Sequence, residues 1–218
     1  MVAVPIGNPG DLTIRAKEIL ESVAVVACEE TAKFRALVRN ASLSISGKIL
    51  PHHSYNENNS ALGLIKILKT GEDVALVSSA GTPRVSDPGY HIVRLAHEES
   101  IQIVPIPGPS ALATAMSICP MPLDPLIFLG FISPKPGRRA NTLKQYSEFN
   151  GTICLYESVH RIEKLLLAID ENLPGSEIFI ARELTKRYEE YYWGSLTDAL
   201  QWIKEKKGEF VLFFRKND

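Results

Sequence analysis

The stretch VSSAGTPRVSDPGY, Val77–Tyr90, places two glycines, two prolines, three serines, a threonine and one carboxylate, Asp87, behind an apolar run. Glycine lets a backbone come close to a ligand, and proline stiffens that approach. Backbone N–H and C=O groups, hydroxyls and a carboxylate then supply donors and acceptors. Similar short stretches recur as PIGNPGD (Pro5–Asp11), EET (Glu29–Thr31), PGPSA (Pro107–Ala111), YESVHR (Tyr156–Arg161) and RELTK (Arg182–Lys186). Such loops are suited to holding a polar ligand by its backbone partners. Familiar nucleotide motifs are missing, since no G-x-G-x-x-G follows the first strand and SGK at Ser46–Lys48 lacks an upstream glycine. No C-x-x-C or H-E-x-x-H occurs, so no metal site is expected. His52 and His53 are adjacent and are expected at the surface.

Alternating strands and helices must position these loops. Strands are expected at Val2–Pro5, Ala24–Cys28, Asp73–Ser78 and Ile101–Ile106. Helices are expected at Leu12–Val23 (capped by Asp11), from Thr31 to Val38, from Ser60 to a stop at Gly71, from Gly89 to Glu98, and from Ser110. Continuous apolar strands between amphipathic helices predict a mainly parallel sheet covered on both faces. In open α/β sheets ligands bind beyond the carboxyl ends of the strands, where these loops fall. The stretch CPMPLDP, Cys119–Pro125, holds three prolines and marks a domain junction, which gives domains of 1–119 and 120–218. In the second half LIFLGF, TICLYE, EIFIAR, EEYYWG and EFVLFF read as strands. Helices fall near Arg138–Glu148, His160–Asn172 and Thr197–Glu205. EIFIAR and EEYYWG leave no room for a helix between them, so they form an antiparallel pair in a mixed sheet. The fold class is therefore α/β in two domains, one with a mainly parallel sheet and one with a mixed sheet. Loops from both halves are expected to converge on one cleft.

The 218 residues are 45% hydrophobic and 22% charged, an ordinary globular composition, with a net charge of −1. No global basic field attracts nucleic acid, so any RNA contact needs a local patch. Lys135, Arg138, Arg139 and Lys144 supply one candidate patch; Lys33, Arg35 and Arg39 supply another. MVAVPIGNPGD lacks the signature of a signal peptide, and no apolar run is long enough to span a membrane. Cys28, Cys119 and Cys154 are expected as free thiols in a reducing cytoplasm. The aromatic run Tyr188, Tyr191, Tyr192 and Trp193 suits a sheet or dimer interface better than base stacking.

The pieces PIGNPGDLTIRAKEIL, ACEET, VALVSSAGTPRVSDPGY, VPIPGPSAL, LGFISPKPGRR, YESVHR, ARELTK and KGEFVLFF, in this order, resemble the tetrapyrrole methylase superfamily of S-adenosylmethionine-dependent methyltransferases. Within it they are most similar to the group that methylates a ribose 2′-hydroxyl of a cytidine in 16S ribosomal RNA. The resemblance implies two α/β domains, S-adenosyl-L-methionine as cofactor and no metal. It further implies a cytoplasmic homodimer, with 16S rRNA in the small ribosomal subunit as partner. It places Pro5, Gly7, Ser79, Ala80, Gly81, Thr82, Asp87, Gly108, Ser110, Tyr156, Glu157, Ala181 and Lys186 around the cofactor. Glu29, Glu30 and Glu57 become the candidate catalytic carboxylates, with Glu29 and Glu30 equally able to cap the next helix.

The chain departs from the family's usual pattern at titratable positions. Ser79 stands where the family usually has aspartate, Ala32 where it has arginine, and Asn56 and Asn58 where it has histidines. Two alternatives therefore stay open: a methyltransferase of the same fold with a small tetrapyrrole-like acceptor, and a diverged, non-catalytic cofactor binder.

Overall fold

The structure, a computed structural model, describes residues 1–216. The chain divides into two compact units, Met1–Ser110 and Ala111–Asp218. The division falls ahead of the expected junction. CPMPLDP lies within the second unit, where Thr152 donates from Oγ1 to Pro122 O and from its backbone N to Pro125 O.

In the first unit β1 (Val25–Cys28) pairs in parallel with β2 (Lys48–Pro51) on one side and β3 (Val74–Val77) on the other. Alternate strand residues face opposite layers. Val26, Cys28, Ala75 and Val77 pack with Ala16 and Leu20 of α1 (Ile14–Ser22) and Phe34 of α2 (Thr31–Asn40). Val25, Ala27 and Leu76 pack with Ala61 and Leu64 of α3 (Glu57–Leu68) and Ile92 of α4 (Tyr90–Glu98). A strand apolar at every position is what a sheet covered on both faces requires.

Several expectations need correction. Val2–Pro5 and Ile101–Ile106 form only isolated bridges, Val2 with Ile106 and Val4 with Gly81. Pro5, Pro105 and Pro107 lack the N–H that a longer ladder needs. Thr13, not Asp11, caps α1, its hydroxyl accepting from Ala16 N at 3.1 Å. Asp11 instead ends a short 3-10 turn, Pro9–Asp11. The third helix begins at Glu57 rather than Ser60. The strand Lys48–Pro51 was not among the expected ones, because a sheet-edge segment reading KILP has no apolar run to announce it.

In the second unit five strands lie in the order β4-β5-β8-β6-β7. They are β4 (Leu126–Phe128), β5 (Thr152–Ser158), β6 (Ser176–Arg182), β7 (Glu190–Ser195) and β8 (Glu209–Lys216). β4 runs parallel to β5, and all other neighbours are antiparallel, including the expected β6–β7 pair. Helix α5 (Ala111–Met116) opens the unit. One sheet face, with Ile153, Leu155, Ile178, Ile180, Leu212 and Phe214, carries Leu143 of α6 (Pro136–Gln145). It also carries Leu165 and Ile169 of α7 (Ile162–Asn172) and Leu196 of α8 (Leu196–Trp202). The mixed sheet is as expected.

Candidate active site

At the carboxyl end of the parallel sheet, two successive serines after β3 each engage a carboxylate. Ser79 donates to Glu29 Oε2 from its backbone N at 3.2 Å and from Oγ at 2.6 Å, and Oγ also lies 3.2 Å from Glu30 Oε1. Lys33 Nζ reaches Glu30 Oε1 at 2.6 Å, and chiefly this bond, against some burial, holds the Glu30 carboxyl below its ordinary range. The buried Ser78 hydroxyl points at Ala80 O (3.0 Å) and Gly81 O (3.2 Å), with Asp87 also in hydrogen-bonding reach. The single Ser78 hydroxyl proton is thus shared among the two carbonyls and Asp87. Burial first and the Glu29 charge second push the Asp87 carboxyl up to about 7; Ser78 and Lys33 pull the other way.

Three loops interlock here. Thr82 Oγ1 donates to Pro109 O at 2.9 Å, and Gly81 and Val4 exchange backbone bonds at 3.0 Å. Gly81 has φ +76°, and an added Cβ would lie 3.2 Å from Ile6 Cγ2. A side chain at 81 therefore meets the protein's own loop. At Gly108 an added Cβ would sit 2.9 Å from Ala3 Cβ, so this glycine permits close packing of two segments. Pro5 is buried in this packing, Ser110 is half-buried, and Gly7, Ala80 and Gly108 remain exposed.

Among the described residues, seven other than glycine have left-handed φ. Ser42, Ser100 and Glu205 follow helix ends, an ordinary place for this conformation. Arg84, Ser86, Glu183 and Thr185 instead lie in the SAGTPRVSDPG and RELTK loops. Strain of this kind concentrates at functional sites.

Other candidate residues have structural work that sequence reasoning missed. Glu57 Oε1 accepts from Gly89 N (2.9 Å) and His91 N (3.1 Å) at the start of α4. Burial pushes its carboxyl up, but these two N–H groups prevail and hold it low. Glu57 is thus a cap with weakened basicity. His52 is buried, against the surface expectation. Its Nδ1 lies 3.0 Å from Ser60 Oγ, which in turn lies 3.2 Å from Pro51 O. Desolvation lowers the His52 pKa and keeps the ring neutral.

In the second unit, Tyr156 N donates to Gly130 O at 3.0 Å and Leu112 N donates to the Tyr156 hydroxyl at 2.9 Å. The Glu157 side chain is fully buried and paired with Arg161 at 3.0 Å, so it does not line an open surface. Ala181 is fully buried, with ladder neighbours Tyr191 and Val211 on either side. Lys186 Nζ is held by Glu183 (2.9 Å) and Glu209 (2.8 Å). Burial lowers its pKa, but the two carboxylates outweigh that and raise it. Arg139 is buried rather than presented to phosphates.

A parallel α/β unit with carboxylates and glycine-proline loops at its strand ends, followed by a mixed-sheet unit, defines a methylase-type fold. The chain belongs to the family Tetrapyrrole (Corrin/Porphyrin) Methylases, which matches residues 1–200. It is 40% identical to "Ribosomal RNA small subunit methyltransferase I" of Leptospira biflexa serovar Patoc, over 97% of this chain and 88% of that one. It is 38% identical to the protein of the same name from Hydrogenobaculum sp., over 100% of this chain and 95% of that one. Among solved structures it is similar to the methyltransferase CobJ, with TM-score 0.72 and 19% identity over 99% and 92% of the two chains. Uroporphyrin-III C-methyl transferase from Thermus thermophilus, complexed with S-adenyl homocysteine, gives TM-score 0.65 and 16% identity over 99% and 95%. At these identities the structures share the fold.

Proposed function

We propose that this chain transfers a methyl group from S-adenosyl-L-methionine to a ribose 2′-hydroxyl of 16S rRNA. The observation that carries this reading is the similarity to relatives of that name along 97% or more of the chain. The donor set fits the cofactor. Exposed backbone at Gly7, Ala80 and Gly108 offers partners for its amino-acid and ribose groups, with Pro5, Gly81, Thr82 and Ser110 shaping the loops. The carboxylates of Glu29 and Asp87, with Ser79, give the negative surroundings that an ammonium and a sulfonium favour.

S-adenosyl-L-methionine, when bound, supplies an electrophilic methyl on sulfur. The protein's own tasks are alignment, worth about 7–11 kcal/mol in well-oriented systems, and removal of the hydroxyl proton, worth about 10²–10⁴-fold. This reading gives the second task to Glu29. Ser79 fixes its Oε2, with a hydrogen bond from Oγ at 2.6 Å. Glu30 is tied to Lys33.

The homodimer and a cytoplasmic location belong to the same proposal. Among the described residues no helix is long and apolar enough to cross a membrane, and no group of three His, Cys, Asp or Glu residues is placed to hold a metal ion.

The test is transfer of labelled methyl to assembled 30S particles, with label expected on a ribose oxygen of the rRNA. Label appearing only on a tetrapyrrole would move the chain to the small-acceptor reading. S-adenosylhomocysteine binding by calorimetry without any turnover would make it a non-catalytic binder.

A further inference from the structure

Phe131 is thrown outward between two anchored neighbours. Beyond β4, Leu129 N donates to Cys154 O and Tyr156 N to Gly130 O, each at 3.0 Å, so the β4–β5 pairing continues past the strand. Gly130 then takes φ +62° and turns the chain away from the sheet. Ile132 returns to the core, and its carbonyl accepts from Arg161 Nη2. Arg161 pairs with the buried Glu157, and the buried Arg139 of α6 adds its charge to the same carboxylate. Residues from β5, α6 and α7's cap thus hold this loop. Phe131 remains 54% exposed. Its ring meets Tyr156 edge-on at 5.7 Å, and Tyr156 meets Phe128 at 4.9 Å.

The charge along this segment is one-sided. LGFISPKPGRRA, Leu129–Ala140, holds three cations and no carboxylate, in a chain whose net charge is −1. Arg139 is buried, whereas Lys135 and Arg138 are exposed. A rigid aromatic face stacks a base of any sequence, and adjacent cations take the flanking phosphates. We propose that Phe131, with Lys135 and Arg138, forms a stacking platform for an unpaired nucleotide of the RNA acceptor. The platform rests on the rRNA reading above. Arg161, Glu157 and Arg139 act through the loop as positioning residues.

The probe is a fluorescein-labelled single-stranded RNA of about twelve nucleotides, beside an abasic strand of the same length, read by anisotropy across a salt series. Phe131→Ala should weaken binding of the base-bearing strand by about 5–100-fold and scarcely change the abasic one. Phe131→Trp should restore binding, and neither change should lower the melting temperature. Lys135→Ser with Arg138→Ser should weaken both strands and flatten the log Kd against log salt slope by about 1.4, at roughly 0.7 per phosphate contact. Unchanged binding by Phe131→Ala, equal loss on the abasic strand, or no RNA binding by the wild type overturns the platform. Methyl transfer to 30S particles, run in parallel, separates the two proposals. Full transfer with Phe131→Ala binding RNA normally removes the platform and leaves the methyltransferase reading intact. Failure of wild-type transfer removes that reading, and the strand comparison still decides the platform.

Discussion

Asp87 carries a stability consequence with a definite sign. Its carboxyl titrates at about 7 in the fold, against an ordinary 3.8, because burial and Glu29 disfavour its charge. Below pH 4 it is protonated in both states and has no effect. Between pH 4 and 7 the unfolded chain releases a proton that the folded chain keeps, so stability falls as pH rises and then levels off. Asp87→Asn removes this loss. Melting temperatures should be higher than wild type at pH 8 and should converge with it near pH 4; a constant difference across that window would contradict the arrangement. Ser79 gives the complementary case. Restoring the family's usual aspartate would place a third carboxylate against Glu29 and Glu30, where a hydroxyl now donates at 2.6 Å. Ser79→Asp should therefore destabilise by about 1–2 kcal/mol at pH 8, with the deficit shrinking by pH 5, as urea midpoints would show. The sequence shows the missing aspartate, but not that Glu29 lies against it from a segment 50 residues away.

Between elements, Glu57 links the start of α3 to the start of α4. Helix N-termini leave N–H groups without intrahelical partners, and Glu57 satisfies two of them with the sign of charge that the helix dipole favours. Glu57→Ala should cost about 1–2 kcal/mol and Glu57→Gln less, measured by urea denaturation, because glutamine keeps an acceptor oxygen. Equal losses would assign the effect to charge alone. β1, β3, β5, β6 and β8 were legible because sheets buried on both faces leave continuous apolar runs. The glycine-proline loops were legible because backbone shape is written locally. Glu57, Lys186 and His52 were not, since their partners Gly89, Glu209 and Ser60 come from other segments. Arg139 read as a surface cation because nothing beside it in sequence announces the buried carboxylate of Glu157.

On the scale of the whole molecule, two exposed aromatic surfaces call for different partners, and charge separates them. Among the described residues β7 is a sheet edge, paired only with β6. Tyr191 and Trp193, 45% and 58% exposed, stand on one face of it by strand alternation. Carboxylates surround them: Trp193 Nε1 donates to Glu177 at 2.7 Å, and the Tyr191 hydroxyl is bonded to Glu189. Phosphates would be repelled here, whereas an aromatic edge with polar neighbours suits a protein interface. The Phe131 loop has the opposite balance, cations and no acid. The β7 face is therefore assigned to the proposed homodimer and the Phe131 loop to RNA. Sedimentation velocity should find wild-type chains at twice 24.1 kDa, and Trp193→Asp should shift them toward the single-chain mass. RNA-strand binding per chain at the Phe131 loop should survive that change. A Trp193→Asp protein that stays dimeric at the same concentration would move the interface elsewhere. Loss of strand binding together with the dimer would show that the RNA surface needs both copies.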